Sequence, residues 1–529
     1  MTSPQHLMST NQTDTSPPPD STVLSGERSR ASADVRRRAT KAAAGFRALG
    51  TEDGDTIDLL LRNDFTFFEA SLAATLAGAY PVPINWHSTA EEAGYVLRDC
   101  GAKVLIVHED LLSRIEAALP AELAVFVGAT PIEIRDAYRI ESWPTPIRLV
   151  LDWDVWLEQQ SELEVVASET RSAVIYTSGT TGQPKGVRRA PAAAPSGPPA
   201  ALAVFGFADP GRKVVLMNGP MYHSAPNAYG LMAFQTGADI VLQARFDAED
   251  MLALIARHRI THMHIVPTMF VRLLKLPQEI RARYDLSSLQ HVVHGAAPCP
   301  PEIKRQMIEW WGPVIFEYYG STETGLAAWH NSAVALRKPG TVGRALPNVE
   351  IKVFTDDGRE VGVGEIGEIY VRTRDLPDFT YIGLDDKRRD IGRGEFVTVG
   401  DIGFLDEEGF LFLCDRKRDM IISGGVNIYP AEIETVLVTL AGVQDCAVFG
   451  IPDDEFGEAI CAYVQPMDGI ELDIGSIRIE LAKHISRFKI PKIIEISEQL
   501  PREDSGKIFK RKLREPYWDE RSHAGARVY

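Results

Sequence analysis

Paired cysteines are missing from this sequence. Its five cysteines (Cys100, Cys299, Cys414, Cys446 and Cys461) are an odd number, widely spaced and without a CxxC pair. That excludes a disulfide framework or a zinc ribbon and reads as small buried thiols in a reducing compartment. Long apolar runs are also missing. The longest uncharged one, residues 70–84, contains Pro81 and Pro83 and is too short to span a bilayer, so no integral membrane segment is expected. A basic excess is missing too: 56 Lys and Arg stand against 73 Asp and Glu, a net charge of −17. Such a chain gains no general electrostatic help toward nucleic acid, and no nucleic-acid partner is expected. Residues 1–28, rich in Ser, Thr, Pro and Gln, lack the apolar core of a signal peptide and read as a disordered tail. A cytoplasmic location follows.

What is present is ordinary globular texture, 45% apolar and 24% charged over 529 residues. Strand-like runs alternate with helix-like ones. A helix over 33–49 stops at Gly50, followed by a strand over 56–61, a helix over 65–79 and a strand over 103–108. Further on come a strand over 213–217, a helix capped by Asp247 and running to His258, and a strand over 261–266. This alternation points to α/β layers with largely parallel sheets. From about residue 345 to 413 tight acidic-Gly turns, Asp356-Asp357-Gly358 and Asp406-Glu407-Glu408-Gly409, indicate a β-rich subdomain of hairpins. A last α/β segment begins near 418. The stretch APAAAPSGPPAA at 190–201 reads as a loop of low complexity.

Residues 176–186 read YTSGTTGQPKG, directly after the apolar run Ala173-Val174-Ile175. Hydroxyls, glycines and one lysine in this density suit a loop that cradles polyphosphate through backbone N–H groups and a cation. It is not a Walker A loop, because Lys185 lies between Pro184 and Gly186 and no helix can open there in the same way. Downstream stand HGAAP at 294–298, EYYGSTETG at 317–325, VGDIGFLDEEGFL at 399–411, DRKRD at 415–419, IISGGVNIY at 421–429 and LPREDSGKIFK at 500–510. These blocks, in this order and spacing from about residue 30 to about 515, resemble the adenylate-forming superfamily of acyl-CoA and aryl-CoA ligases, peptide-synthetase adenylation domains and beetle luciferases.

The resemblance implies an α/β fold: a large N-terminal domain of two α/β sheet layers plus the β-rich subdomain (29–417), and a small mobile α+β C-terminal domain (418–529). It implies that ATP is held by Thr177, Ser178, Gly179, Thr180, Thr181, Gly182 and Lys185. Gly295, Ala296 and Ala297 would border the adenine. Glu317, Tyr318, Tyr319, Gly320, Ser321 and Thr322 would complete the nucleotide site, with Tyr318 and Tyr319 offering flat faces to the purine. Asp401 and Arg416 would take the ribose and phosphate, and Asn427 a further polar contact. A carboxylate beside a phosphate loop is repelled unless a cation intervenes, so Glu323 is the expected Mg²⁺ ligand, with Thr177 contributing. Lys507, with Lys185, Thr322 and Glu323, would stabilise charge during adenylation. Ser423, Gly424 and Gly425 would border the coenzyme A channel, and Arg418 would be the hinge.

Met221-Tyr222-His223-Ser224 resembles the family's acyl-site block, giving His223, Asn227 and Thr268 as expected acyl-site residues. Met232, Phe234, Val266, Met269, Ala327 and Trp329 suggest an apolar pocket, suited to a fatty or aryl acid. His262, His264, His291 and His294 lack metal spacing and read as core or pocket walls. Two departures from the family pattern stand out. Arg188-Arg189-Ala190-Pro191 occupies the place where relatives have a His, and Glu317 stands where many have an amide or Asp. The expected reaction is AMP-forming acyl-CoA ligation: the acid attacks ATP to give acyl-AMP and pyrophosphate, and CoA then takes the acyl group. An acyl-AMP ligase loading a carrier protein and a non-catalytic nucleotide-binding scaffold are the alternatives. No insertion near the hinge favours the first, and the intact set Thr322, Glu323, Asp401, Arg416 and Lys507 disfavours the second.

Overall fold

Strands that are apolar on both faces must be covered on both faces, and the chain satisfies this with helices packed on parallel sheets. The computed structural model describes residues 21–164, 167, 169–177, 184–192, 200–424, 426–502 and 508–525. A first parallel sheet runs in the order Tyr80–Pro83, Thr56–Leu60, Val104–His108, Ala124–Gly128 and Leu151–Asp152. Every residue of its three leading strands is buried. The helix Ala90–Asp99 on this sheet starts with a capping box, Thr89 accepting from the Glu92 N–H and Glu92 accepting from that of Thr89.

The second sheet has fifteen strands. Thr22–Ser25, Asp239–Leu242, Val214–Met217, His262–Ile265, His291–His294 and Ile315–Ser321 form its parallel half. Gly325–Asn331, Thr341–Ala345, Phe410–Arg416, Asp401–Leu405 and Gly367–Thr373 continue it antiparallel. The β-rich segment is therefore not set apart: Gly325–Asn331 pairs with strands on both sides, so the hairpins extend the parallel sheet. A three-stranded sheet, Phe379–Tyr381, Lys185–Arg189 and Ile175–Thr177, stands apart from both. A fourth sheet gathers Ile421–Ser423, Val426–Ile428, Val443–Asp453, Gly457–Pro466 and Ile493–Ile496 around its own core of Ile421, Ile433, Leu437, Val448, Ala462 and Leu481.

The expected helices and strands are present within a few residues, at Ser32–Ala48, Phe65–Leu76 and Ala248–His258 capped by Asp247. The expected tail needs correction over residues 21–28, whereas residues 1–20 lie outside the described residues. Thr22–Ser25 and Arg28–Ala31 form a hairpin through Gly26 (φ +57°), and the first strand adds to the edge of the large sheet with Val23 fully buried. Two apolar residues followed by a glycine were the signal, masked by the polar composition around them. Residues 193–199 of the Pro/Ala stretch lie outside the described residues, but its flanks are held: Ala190 N–H donates to Asp378 O and Ala192 bridges Thr170. No helix among the described residues is long and apolar enough to cross a membrane.

Candidate active site

The phosphate hairpin is closed by the register Thr177↔Lys185, with Tyr176 opposite Gly186. Ser178, Gly179, Thr180, Thr181 and Gly182 lie outside the described residues, so the structure describes the two ends of this loop. Both ends are pinned to one helix. The Tyr176 hydroxyl donates to Asp99 Oδ2 at 2.7 Å, and the Tyr95 hydroxyl donates to Pro184 O at 3.2 Å. Gly186 has a steric reason to be glycine: a Cβ there would come within 2.8 Å of the Tyr176 ring.

Lys185 projects from the hairpin with its Nζ 5.3 Å from the centre of the Tyr381 ring. The other end of that side chain, the hydroxyl, donates to Glu323 Oε1 at 3.0 Å. Partial burial, and then Lys387, hold the Lys185 ammonium below its ordinary pKa, while Glu323 pulls it back up. Glu323 sits in a tight turn between Ile315–Ser321 and Gly325–Asn331. Gly325 takes φ +69°, and a Cβ on Gly320 would meet the Gly325 carbonyl at 2.1 Å. Ser321 and Thr324 hydrogen-bond across this turn, leaving Thr322 and Glu323 at its half-exposed tip.

Asp401 and Arg416 are direct cross-strand partners, with Arg416 Nε 3.3 Å from Asp401 Oδ1. The Tyr319 hydroxyl donates to Asp401 Oδ2 at 2.7 Å, which ties the Tyr319 strand to the Asp401 hairpin. At the end of His291–His294, Gly295 must lack a side chain because a Cβ would lie 2.7 Å from the Tyr318 ring. Ala296 next to it is exposed and carries φ +68°. A non-glycine residue held in the left-handed region is strained, and such strain concentrates at functional sites. Ala297 follows, half-exposed on the same corner.

Three expected site residues are buried and engaged by protein partners. Glu317 is 3% exposed, paired with Lys304 and accepting from His330 Nε2 at 2.7 Å. A buried carboxylate must find hydrogen bonds and opposite charge, and the Lys304 ammonium and the His330 ring supply them. Tyr318, 6% exposed, turns its ring into the core against Phe205, and its hydroxyl meets His264 Nε2 at 2.9 Å, so it offers no open face to a purine. Asn227 is buried, and its amide donates to Met221 O at 2.8 Å. That bond braces the Met221–Ser224 block. Asn63 braces the same block from the other side, donating to Gly219 O and accepting from Met221 N–H.

His223 is the N-cap of Ser224–Gln235, its ring 4.3 Å from that of Tyr222. Thr268 lies half-exposed at the start of Pro267–Leu274, beside Val266. Phe234 belongs to the core, packed on Phe68 with its rings 5.6 Å apart. His262, His264, His291 and His294 are all buried, and burial holds their pKa values below the ordinary histidine range. Among the described residues no three His, Cys, Asp or Glu side chains gather as a metal cluster.

Ser423, Gly424 and Asn427 lie on the hairpin Ile421–Ser423/Val426–Ile428, where Gly424 and Asn427 are exposed. Among the described residues no hydrogen bond or ion pair joins this hairpin to Glu323 or Asp401. Gly425 and Lys507 lie outside the described residues. Arg418 is near enough to Lys185 to lower the lysine's pKa further. Sequence reading missed Tyr95, Asp99, Asn63, Tyr381 and the part taken by Arg189. Of these only Arg189 left a trace, as a departure from the family pattern.

The family model described as AMP-binding enzyme matches residues 12–376, and the AMP-binding enzyme C-terminal domain matches 432–507. The indoleacetate–CoA ligase of Aromatoleum aromaticum is 32% identical over 482 residues, 89% of this chain and 90% of that protein. The long-chain-fatty-acid–CoA ligase FadD13 of Mycobacterium tuberculosis is 31% identical over 501 residues, 92% of each. Among solved structures, ATP-bound MatB from Rhodopseudomonas palustris is similar with a TM-score of 0.79 at 26% identity, covering 96% of this chain and 97% of that one. With both family models matched and the motif blocks in order, the chain belongs to the AMP-binding enzyme family, the adenylate-forming superfamily.

Proposed function

We propose that this chain is an AMP-forming acyl-CoA ligase acting on an apolar carboxylic acid, fatty or aryl, in the cytoplasm. The observation that carries this reading is the convergence at Tyr381, where Lys185 from the phosphate hairpin and Glu323 from a different sheet meet on one side chain. The relatives named above are an indoleacetate–CoA ligase and a long-chain-fatty-acid–CoA ligase, in line with the apolar Val266 and Met269 that flank Pro267 and Thr268.

The acid is ionised at neutral pH, so the first half-reaction needs no general base. It needs in-line positioning on the α-phosphate and stabilisation of the departing pyrophosphate. Asp401 accepts from the ribose hydroxyls through the lone pairs that Tyr319 and Arg416 leave open, and Arg416 contributes charge. Gly295, Ala296 and Ala297 border the adenine. Lys185 and the hydroxyl-rich loop Thr177–Gly182 hold the phosphates, joined by Thr322 and by Lys507. Glu323 suits Mg²⁺: its Oε1 takes the Tyr381 hydroxyl, and a lone carboxylate beside the phosphates is the donor set that Mg²⁺ prefers. Bound there with Thr177, Mg²⁺ would neutralise charge on the β- and γ-phosphates. In the second half-reaction the small unit 418–529 turns about Arg418, and Ser423, Gly424 and Gly425 line the path of the CoA thiol.

A panel of fatty and aryl acids tests the reading through acid-dependent AMP release, with and without CoA. Thioester formation is expected. Acyl-AMP that forms but passes only to a carrier protein would move the chain to that rival reading, and no AMP release with any acid would overturn adenylation altogether.

A further inference from the structure

Arg189 closes the strand Lys185–Arg189, four residues beyond the lysine of the phosphate hairpin, and takes no part in the chemistry above. It is nevertheless heavily committed. Its Nη2 donates to Thr322 O at 2.6 Å and to Glu323 O at 2.8 Å, and its Nη1 donates to Pro377 O at 2.9 Å. Its guanidinium lies 5.6 Å from the centre of the Phe379 ring. Burial lowers its pKa to about 10, with Glu323 and Asp378 opposing, so it remains charged at neutral pH.

The topology explains why these bonds matter. The phosphate hairpin belongs to the three-stranded sheet, whereas the turn carrying Thr322 and Glu323 joins two strands of the large sheet. Among the described residues no ladder hydrogen bond links the two sheets, so beyond the chain segment 374–378 the separation between Lys185 and Glu323 depends on side chains that cross between them. Tyr381 crosses at one point. Arg189 crosses with two N–H donors aimed at the Thr322 and Glu323 carbonyls, while a third holds Pro377 O at the entry to the neighbouring strand Phe379–Tyr381, and a planar guanidinium fixes their directions in a way a lysine cannot. We infer that Arg189 is a positioning residue for the first half-reaction, setting the Thr322–Glu323 turn at its working distance from the phosphate hairpin.

This inference rests on the proposed roles of Lys185 and Glu323. It is tested with Arg189→Met, Arg189→Lys and Arg189→Ala, measuring KM for MgATP and for CoA, ATP affinity by calorimetry with and without Mg²⁺, and melting curves. Arg189→Met should raise KM and Kd for MgATP by about tenfold to a hundredfold, the range for losing a hydrogen bond from a charged group, with KM for CoA unchanged. Arg189→Lys should recover part of the loss. Guanidinium at a non-denaturing concentration should restore MgATP binding to Arg189→Ala. If Arg189→Met does not fold, the same split in Arg189→Lys and the guanidinium rescue decide the matter. Parent-like MgATP constants, or equal shifts for MgATP and CoA with no rescue, overturn the inference. A parent enzyme without acid-dependent pyrophosphate release would instead overturn the reading of the site, and this inference with it.

Discussion

At Glu323 one carboxylate oxygen accepts from Tyr381 and the backbone carbonyl accepts from Arg189, so the residue is fixed before any ligand arrives. Glu323→Gln keeps the shape and the Tyr381 contact but removes the charge. ATP binding followed by calorimetry should need more Mg²⁺ in this variant, with the melting temperature unchanged. Superimposable Mg²⁺ titrations would remove Glu323 from the metal site. Glu317, six residues earlier, behaves differently. Burial would raise its pKa, but Lys304 first, then His294 and the His330 hydrogen bond, hold it down to about 2. A depressed carboxyl pKa gives stability that is present above the unfolded value of about 4.3 and is lost as pH falls toward 2. Lys304→Met leaves that charge with the histidines alone and should cost about 3–5 kcal/mol, the usual price of breaking a buried pair. Its melting temperature should also fall at higher pH than the parent's. A parent-like acid profile would show that Lys304 does not hold the proton off. Sequence could read EYYGSTETG as a motif but not this pairing, because Lys304 and His330 each lie 13 residues away on other elements.

The phosphate hairpin shows the same division between what a motif reveals and what fixes it. Its eleven residues are contiguous, so the sequence displays the loop, the lysine and the closing glycine together. Its supports come from the helix Ala90–Asp99 and the strand Phe379–Tyr381, and no spacing rule in a single sequence connects segments so far apart. The strand Thr22–Ser25 escaped for a related reason, since the partner that builds it into the large sheet, Asp239–Leu242, lies far away along the chain. The helix gives a prediction of its own. Tyr176→Phe keeps the ring over Gly186 but loses the bond to Asp99. Removing one such hydrogen bond is expected to weaken ATP binding by about threefold to tenfold while leaving KM for CoA and the acid in place. Gly186→Ala should do more harm, because the new Cβ meets the Tyr176 ring itself. If Tyr176→Phe binds ATP as the parent does, the Asp99 contact is incidental to the loop.

The whole molecule poses the question of how its C-terminal sheet is held against the rest. Lys275, just past the helix Pro267–Leu274 that carries Thr268, donates from Nζ to Val443 O at 2.8 Å and to Gln444 O. Its charged and thiol neighbours are Asp445, Cys446 and Arg502, and burial brings its pKa down to about 8. In this arrangement Gly424 and Asn427 of the proposed CoA-channel hairpin are exposed, and we propose that it serves the first half-reaction. Loosening it should slow adenylation and spare thioester formation from preformed acyl-AMP. Lys275→Met is expected to lower single-turnover adenylation by about threefold to tenfold, less than for a fully buried charge because solvent reaches the site. In the parent, adenylation should also decline as pH rises through about 8 and the ammonium loses its proton, a decline absent from Lys275→Met. Arg418→Pro should act in the opposite sense. Proline fixes φ near −65°, whereas a hinge works by letting a few backbone dihedrals change widely, so acyl-AMP should form and then accumulate even with CoA present. The two variants thus predict opposite lesions. Equal losses in both half-reactions for both variants, with unchanged melting curves, would mean that the C-terminal sheet does not turn about Arg418 and that Lys275 does not hold it.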